Sequence, residues 1–144
     1  MKKRAALSAF SGGGAKRWGR LAETLKLKVL AVGKGKVSMR MPWSLQASQM
    51  AGLLHGGALT TLADTAAAVG TLALLPPGAS TVTSELTINF ISNITKGAAL
   101  AEARLMHRGR LTMVWEVKVS EEKTGKLLAL CMGTFFILGP KPGR

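Results

Sequence analysis

The stretch best equipped for chemistry runs Leu54-His55-Gly56-Gly57-Ala58-Leu59-Thr60-Thr61-Leu62-Ala63-Asp64-Thr65-Ala66. Gly56 and Gly57 stand where a helix is predicted to begin. A first helical turn leaves backbone N–H groups unpaired at the positive end of the dipole, where negative charge is favoured. Donors fixed there, with no side chain to block approach, make an oxyanion hole for a carbonyl oxygen that gains charge. The alternative is that two glycines only turn the chain into the helix. Asp64 offers a carboxylate for general-base or nucleophilic work, or else a solvated group on a polar side shared with Thr60, Thr61, Thr65 and Thr71. His55, just before the helix, fits a base, a ligand or a cap. The only other histidine is His107, and no spacing joins the two to carboxylates as a metal site. No metal and no cofactor are expected. No Ser or Thr has a visible His/Asp arrangement that would make it a nucleophile.

These residues need elements to hold them. Leu25 to Val32 begins by alternating apolar and basic residues, and Lys36 to Met41 alternates again across the turn Gly33-Lys34-Gly35, so the two predict a β-hairpin. Gly57 to Leu75 is rich in Ala and Leu, with Leu59, Leu62, Ala63, Ala66, Val69 and Ala73 at helical spacing, and Pro76-Pro77-Gly78 ends it. Few of its residues are large or charged on any face, which predicts a helix wrapped by other elements. Strands are expected over 81–91, 98–107, 111–120 and 126–138. The order ββαββββ with short connections is an α+β arrangement, an antiparallel curved sheet wrapped round one central helix.

Length and charge narrow the rest. The 144 residues suit one domain, and 47% hydrophobic against 19% charged residues can build a core. Lys and Arg number 20 against 7 acids, and residues 1–40 carry eleven of the basic groups with Glu23 as the one acid. Residues 1–20, Gly-rich and basic, read as a flexible leader dispensable for fold and catalysis, with the domain at 21–144. From Met41 to Thr95 there is no Lys or Arg, and Asp64 and Glu85 are the only formal charges. A carboxylate in so apolar a stretch must be solvated, paired or used. Cys131 is the only cysteine, so no internal disulfide forms and a reducing cytoplasm fits. No run approaches the ~20 apolar residues of a membrane span, and no membrane association is expected.

Four pieces together resemble the hotdog-fold acyl-CoA thioesterases of the phenylacetate-degradation type: Leu54-His55-Gly56-Gly57, Leu62-Ala63-Asp64-Thr65-Ala66, Val82-Thr83-Ser84-Glu85-Leu86-Thr87-Ile88-Asn89-Phe90 and Gly133-Thr134-Phe135. The resemblance covers about Leu25 to Leu138. It implies a hotdog fold and a thioesterase that hydrolyses acyl- or aryl-CoA, with Gly56 N–H on the thioester carbonyl and Asp64 as nucleophile or general base. It further implies Gln49 helping to hold the carbonyl or the attacking water, and Thr83 placing a hydroxyl near that water; a plain β-branched strand residue is the other reading of Thr83. Some relatives have Ser or Thr one helical turn beyond the acid, where this chain has Ala68. Arg108 and Arg110, with Lys96 behind them, are the candidates for the nucleotide phosphates, solvated turn residues being the alternative.

Gly56 and Asp64 are eight residues apart, about 12 Å along a helix at ~1.5 Å per residue. One helix does not bring both to one carbonyl, so a site needing both pairs Gly56 of one chain with Asp64 of another on antiparallel helices. The resemblance implies that arrangement, a homodimer or a tetramer built as a dimer of dimers. Two other functions remain open. A non-catalytic acyl-CoA or acyl-carrier binding module would use the same fold without turnover. Nucleic-acid binding through the basic leader is not expected, since only Phe10 and Trp18 interleave aromatics with its charge.

Overall fold

The computed structural model describes residues 18–140. Most of the expected leader lies outside the described residues. Its last part does not: Trp18 packs against the core, and a short helix, α1 (Arg20–Thr24), follows at once. That helix was not expected, and Trp18 and the buried Ala22 tie it to the core. Ala22, Leu25 and Leu27 are buried, and Lys26 takes a positive φ of 55° as the chain leaves α1 for the sheet.

Six strands follow the expected order: β1 (Lys28–Gly33), β2 (Lys36–Pro42), β3 (Ser80–Phe90), β4 (Ala98–Arg108), β5 (Thr112–Glu121) and β6 (Leu127–Leu138). They form one antiparallel sheet in the order β1-β2-β4-β5-β6-β3. The long helix α2 (Gly56–Leu74) sits in its concave face and touches all six strands. The sequence places β3 directly after α2, yet the sheet places it at the far edge, beside β6.

Small residues explain how the sheet wraps the helix. Ala58, Ala63, Ala66, Ala67 and Gly70 are all buried on α2, so its backbone lies close to the strands. Trp115 of β5 crosses that surface: it is fully buried, its Nε1 donates to Thr71 Oγ1 at 2.9 Å, and its ring occupies the space that a side chain on Gly70 would need. Met39, Met41, Met113 and Phe135 complete the sheet's inner face. Contrary to the expectation that no run is long and apolar enough, α2 passes as a membrane span by length and composition, but half of that stretch is buried inside this domain, as a core helix is.

The other side of α2 is not covered by the sheet. Gly57, Thr60, Thr61, Asp64, Thr65 and Ala68 are all at least partly accessible. They recur every three to four residues and form one stripe along the helix. This stripe carries the candidate chemistry.

A Cβ on Gly70 would lie 2.4 Å from the Trp115 ring. Overpacking a closed core costs about 1–3 kcal/mol, whereas Val gains only a few tenths of a kcal/mol over Gly in helix propensity. We expect Gly70→Val to lose about 2 kcal/mol in denaturant unfolding. Unchanged stability would show that the Trp115–α2 contact is looser than described.

Candidate active site

The entry to α2 is tied down before the helix begins. Trp43 Nε1 donates to Gly52 O at 2.9 Å, His55 N–H donates to Ala47 O at 2.8 Å, and Ser48 and Leu54 form a single β-bridge. Asn93, from the loop after β3, grips the same segment from the other side. Its Oδ1 accepts from Leu54 N–H at 3.0 Å and its Nδ2 donates to Leu54 O at 2.8 Å. Asn93 lies in the connection between the strands expected over 81–91 and 98–107 and is not among the candidate residues; an Asn at a turn, whose amide can satisfy backbone at both ends, is the signal the sequence offers.

His55 takes one of the roles left open for it. It is the N-cap, and its Nδ1 accepts from Gly57 N–H at 2.8 Å. Gly57 N–H is thereby spent within the chain. Gly56 N–H donates to no described residue and stands at the positive end of a 19-residue helix. The two glycines, equivalent in sequence, thus differ: Gly56 alone keeps its donor available. A Cβ on Gly56 would come within 3.2 Å of the Phe90 ring, so the end of β3 lies against this glycine and leaves little room for a side chain.

Asp64 lies on the uncovered stripe two turns further on. Its Oδ1 accepts from Thr83 Oγ1 at 2.7 Å. The helix and β3 therefore bring together two of the candidate residues that stand 19 positions apart in sequence. They open onto a cavity of about 350 Å³ lined by Trp18, Leu21, Ala22, Thr60, Thr61, Asp64, Thr65, Thr83 and Leu86. The hydroxyls of Thr60 and Thr61 donate to Gly56 O and Gly57 O, each at 2.8 Å, and so are committed to the helix. Asp64 remains a partly accessible carboxylate with one described hydrogen-bond donor on it.

The other candidates are not gathered here. Gly56 does not line the Asp64 cavity. The Gln49 amide folds back so that its Oε1 accepts from Ala51 N–H, in its own turn. Arg108 donates through Nη2 to Leu74 O at 3.1 Å, which places it at the C-terminal end of α2, opposite to Gly56. Arg110 is exposed in the turn beyond it. Lys96 stands at the other end of β4, a strand of 11 residues, so about 30 Å separates it from Arg108 at ~3.3 Å per residue. Lys96 therefore does not stand behind the two arginines within one chain; it lies on the Gly56 side of the molecule.

One buried group is chemically quiet. Cys131 lies on β6, and burial together with the charges of Asp64 and Glu85 pushes its thiol up to about 11, which keeps it protonated at neutral pH. Among the described residues no three His, Cys, Asp or Glu side chains are grouped as metal ligands.

Comparison with known proteins agrees with this geometry. Residues 51–128, which contain α2, β3, β4 and β5, match the family model of the thioesterase superfamily. A 1,4-dihydroxy-2-naphthoyl-CoA hydrolase of Listeria monocytogenes is 32% identical over 117 residues, 81% of this chain and 94% of that protein. A thioesterase from Staphylococcus aureus, solved as a mutant, superposes with a TM-score of 0.80 at 30% identity, covering 83% of this chain and 98% of that one. The E. coli PaaI protein, from the phenylacetic acid degradation operon, gives a TM-score of 0.78 at 26% identity over 93% of this chain and 97% of its own. With its sheet, its core helix and most of its length shared with these proteins, the chain belongs to the thioesterase superfamily and is a hotdog-fold thioester hydrolase.

Proposed function

We propose that this enzyme hydrolyses acyl- or aryl-CoA thioesters with Asp64 as the attacking carboxylate or as general base, at a site shared by two chains of a homodimer. The observation that carries the reading is the Asp64–Thr83 pair, a partly accessible carboxylate held by a hydroxyl at 2.7 Å in an open cavity. The names of relatives that act on CoA thioesters support the substrate class.

In one route the carboxylate attacks the thioester carbonyl, the C–S bond breaks, CoA leaves as thiolate, and water then hydrolyses the acyl-enzyme anhydride. In the other, Asp64 takes a proton from water as the oxygen bonds to the carbonyl carbon, and the proton passes to the departing thiolate. Both routes end in a carboxylic acid and free CoA thiol. Thr83 holds the carboxylate in place for either. Gly56 N–H, at the positive end of the helix, would stabilise the oxyanion.

That last role needs a second chain. Gly56 and Asp64 are about 12 Å apart on a rigid helix, but two antiparallel copies of α2 bring Gly56 of each beside Asp64 of the other if they cross near the midpoint, Thr60. The uncovered stripe of Thr60, Thr61, Asp64 and Thr65 is the surface such a crossing would use. The edge strand β3 has one row of backbone groups with no strand beside it, and Val82, Phe90 and Ile91 are exposed along and just beyond it. Such edges need a partner or a cover. Gln49 could join the carbonyl or the water only after leaving its local turn. Arg108, Arg110 and Lys96 remain proposed phosphate ligands, and since no single chain gathers them, they would act at different sites or from different subunits.

Free thiol released over time from a panel of acyl-CoA and aryl-CoA thioesters tests the activity. Asp64→Asn is expected to lower kcat by about 10²–10⁴, with the unfolding midpoint unchanged because Asp64 supports no core packing. Thr83→Val should lower kcat about tenfold, the scale of one hydrogen bond to a charged group. Wild-type turnover in the Asn variant would remove Asp64 from the reaction. A wild-type protein that bound the thioesters and released no thiol would be a binding module.

A further inference from the structure

We infer that Trp18 and Leu21 form the acyl-group wall of the Asp64 cavity, so that the segment before the sheet selects large apolar acyl groups over small ones. The inference rests on the reading of Asp64 as the reacting carboxylate.

The cavity has two chemically distinct linings. Asp64, Thr60, Thr61, Thr65 and Thr83 supply the polar one, and Trp18, Leu21, Ala22 and Leu86 the apolar one. Three of those four apolar residues come from residues 18–22, outside the stretch that matches the family model. The position of this segment is set by the core. Ala22, Leu25 and Leu27 are each less than 5% exposed, Leu27 N–H donates to Ala22 O at 2.9 Å, and Leu25 N–H donates to Leu21 O at 3.0 Å. A five-residue helix has little stability of its own, so this anchoring is what fixes it.

Anchoring by Ala22 leaves its neighbour Leu21 at the cavity with 59% of its surface exposed. Leu21 therefore presents apolar surface to the cavity and not to the core. Trp18, packed against the core and lining the same cavity, offers a large aromatic surface. At about 350 Å³ the cavity is within the usual range of small-molecule sites, ~300–1,000 Å³, and exceeds the needs of a two-carbon acyl group. Thr60 and Thr61 spend their hydroxyl hydrogens on the helix, so they add no donor that would favour a polar acyl chain.

The test is the ratio of kcat/KM for benzoyl-CoA to that for acetyl-CoA, measured on the full chain. The wild type should favour benzoyl-CoA. Trp18→Ala and Leu21→Ala should each lower the ratio by about tenfold or more, the scale of a lost aromatic or apolar contact in a pocket, while Trp18→Phe restores most of it. The Leu21 variant guards against a folding defect in Trp18→Ala, since Leu21 is mostly exposed. A ratio unchanged in Leu21→Ala and in any folded Trp18 variant, a parallel loss on both substrates, or a wild type that prefers acetyl-CoA would each overturn the inference. Failure of the parent reading looks different: the wild type would release thiol from neither substrate, or Asp64→Asn would retain full turnover.

Discussion

A helix is a rod, and this one fixes the Gly56 donor and the Asp64 carboxylate about 12 Å apart at ~1.5 Å per residue. No rotamer of Asp64 closes that gap, and Gly56 has no side chain to help. Everything else in the domain serves to hold the rod. The clamp of Ala47, Trp43 and Asn93 fixes where it starts, the His55 cap decides which glycine keeps a free N–H, and Arg108 satisfies a carbonyl at its far end. Both groups are thus rigid, and a reaction that uses them together must obtain the second from another molecule of the same chain.

The same rod explains the composition of α2. One side must lie close against a curved sheet, which selects Ala and Gly and leaves room for the Trp115 ring over Gly70. The opposite side is left to threonines and Asp64. Threonine is a poor helix former because its branched side chain is restricted, yet here Thr60 and Thr61 return their hydroxyls to the helix carbonyls. Such residues tolerate both solvent and close approach of a second helix. The near absence of charge from Met41 to Thr95 belongs to the same economy: Asp64 is kept where its partner is a neutral hydroxyl, not a cation that would neutralise it.

Much of this was legible in the sequence. Alternation gave the strands, small-residue periodicity gave a wrapped helix, and the Pro-Pro-Gly at 76–78 marked its end to within a residue or two. Asp64 and Gly56 were visible because glycine pairs and isolated carboxylates stand out against an apolar background. What escaped was fixed by contacts remote in sequence. Asn93 reads as loop until it meets Leu54, and Thr83, named through the resemblance, carries no signal of its own that separates it from an ordinary β-branched strand residue until β3 crosses α2. Residues 18–24 escaped because five helical residues between glycines and basic groups carry almost no periodicity; only the core shows that Ala22 is buried. The separation of Lys96 from Arg108 likewise depends on β4 being one continuous strand.

Complementation between two inactive variants tests the shared site most directly. One chain carries Asp64→Ala and the other Gly56→Val, which fills the space beside Phe90 and blocks the donor. After denaturation and joint refolding, random pairing makes about half of the dimers mixed, and the two-fold symmetry of the pair gives each mixed dimer one site with both lesions and one with neither. About a quarter of wild-type thioesterase activity should then return from parents that have almost none. Activity that stayed at the parental level after subunit exchange had been verified would mean that Gly56 and Asp64 do not meet across two chains, and the shared-site account would be wrong.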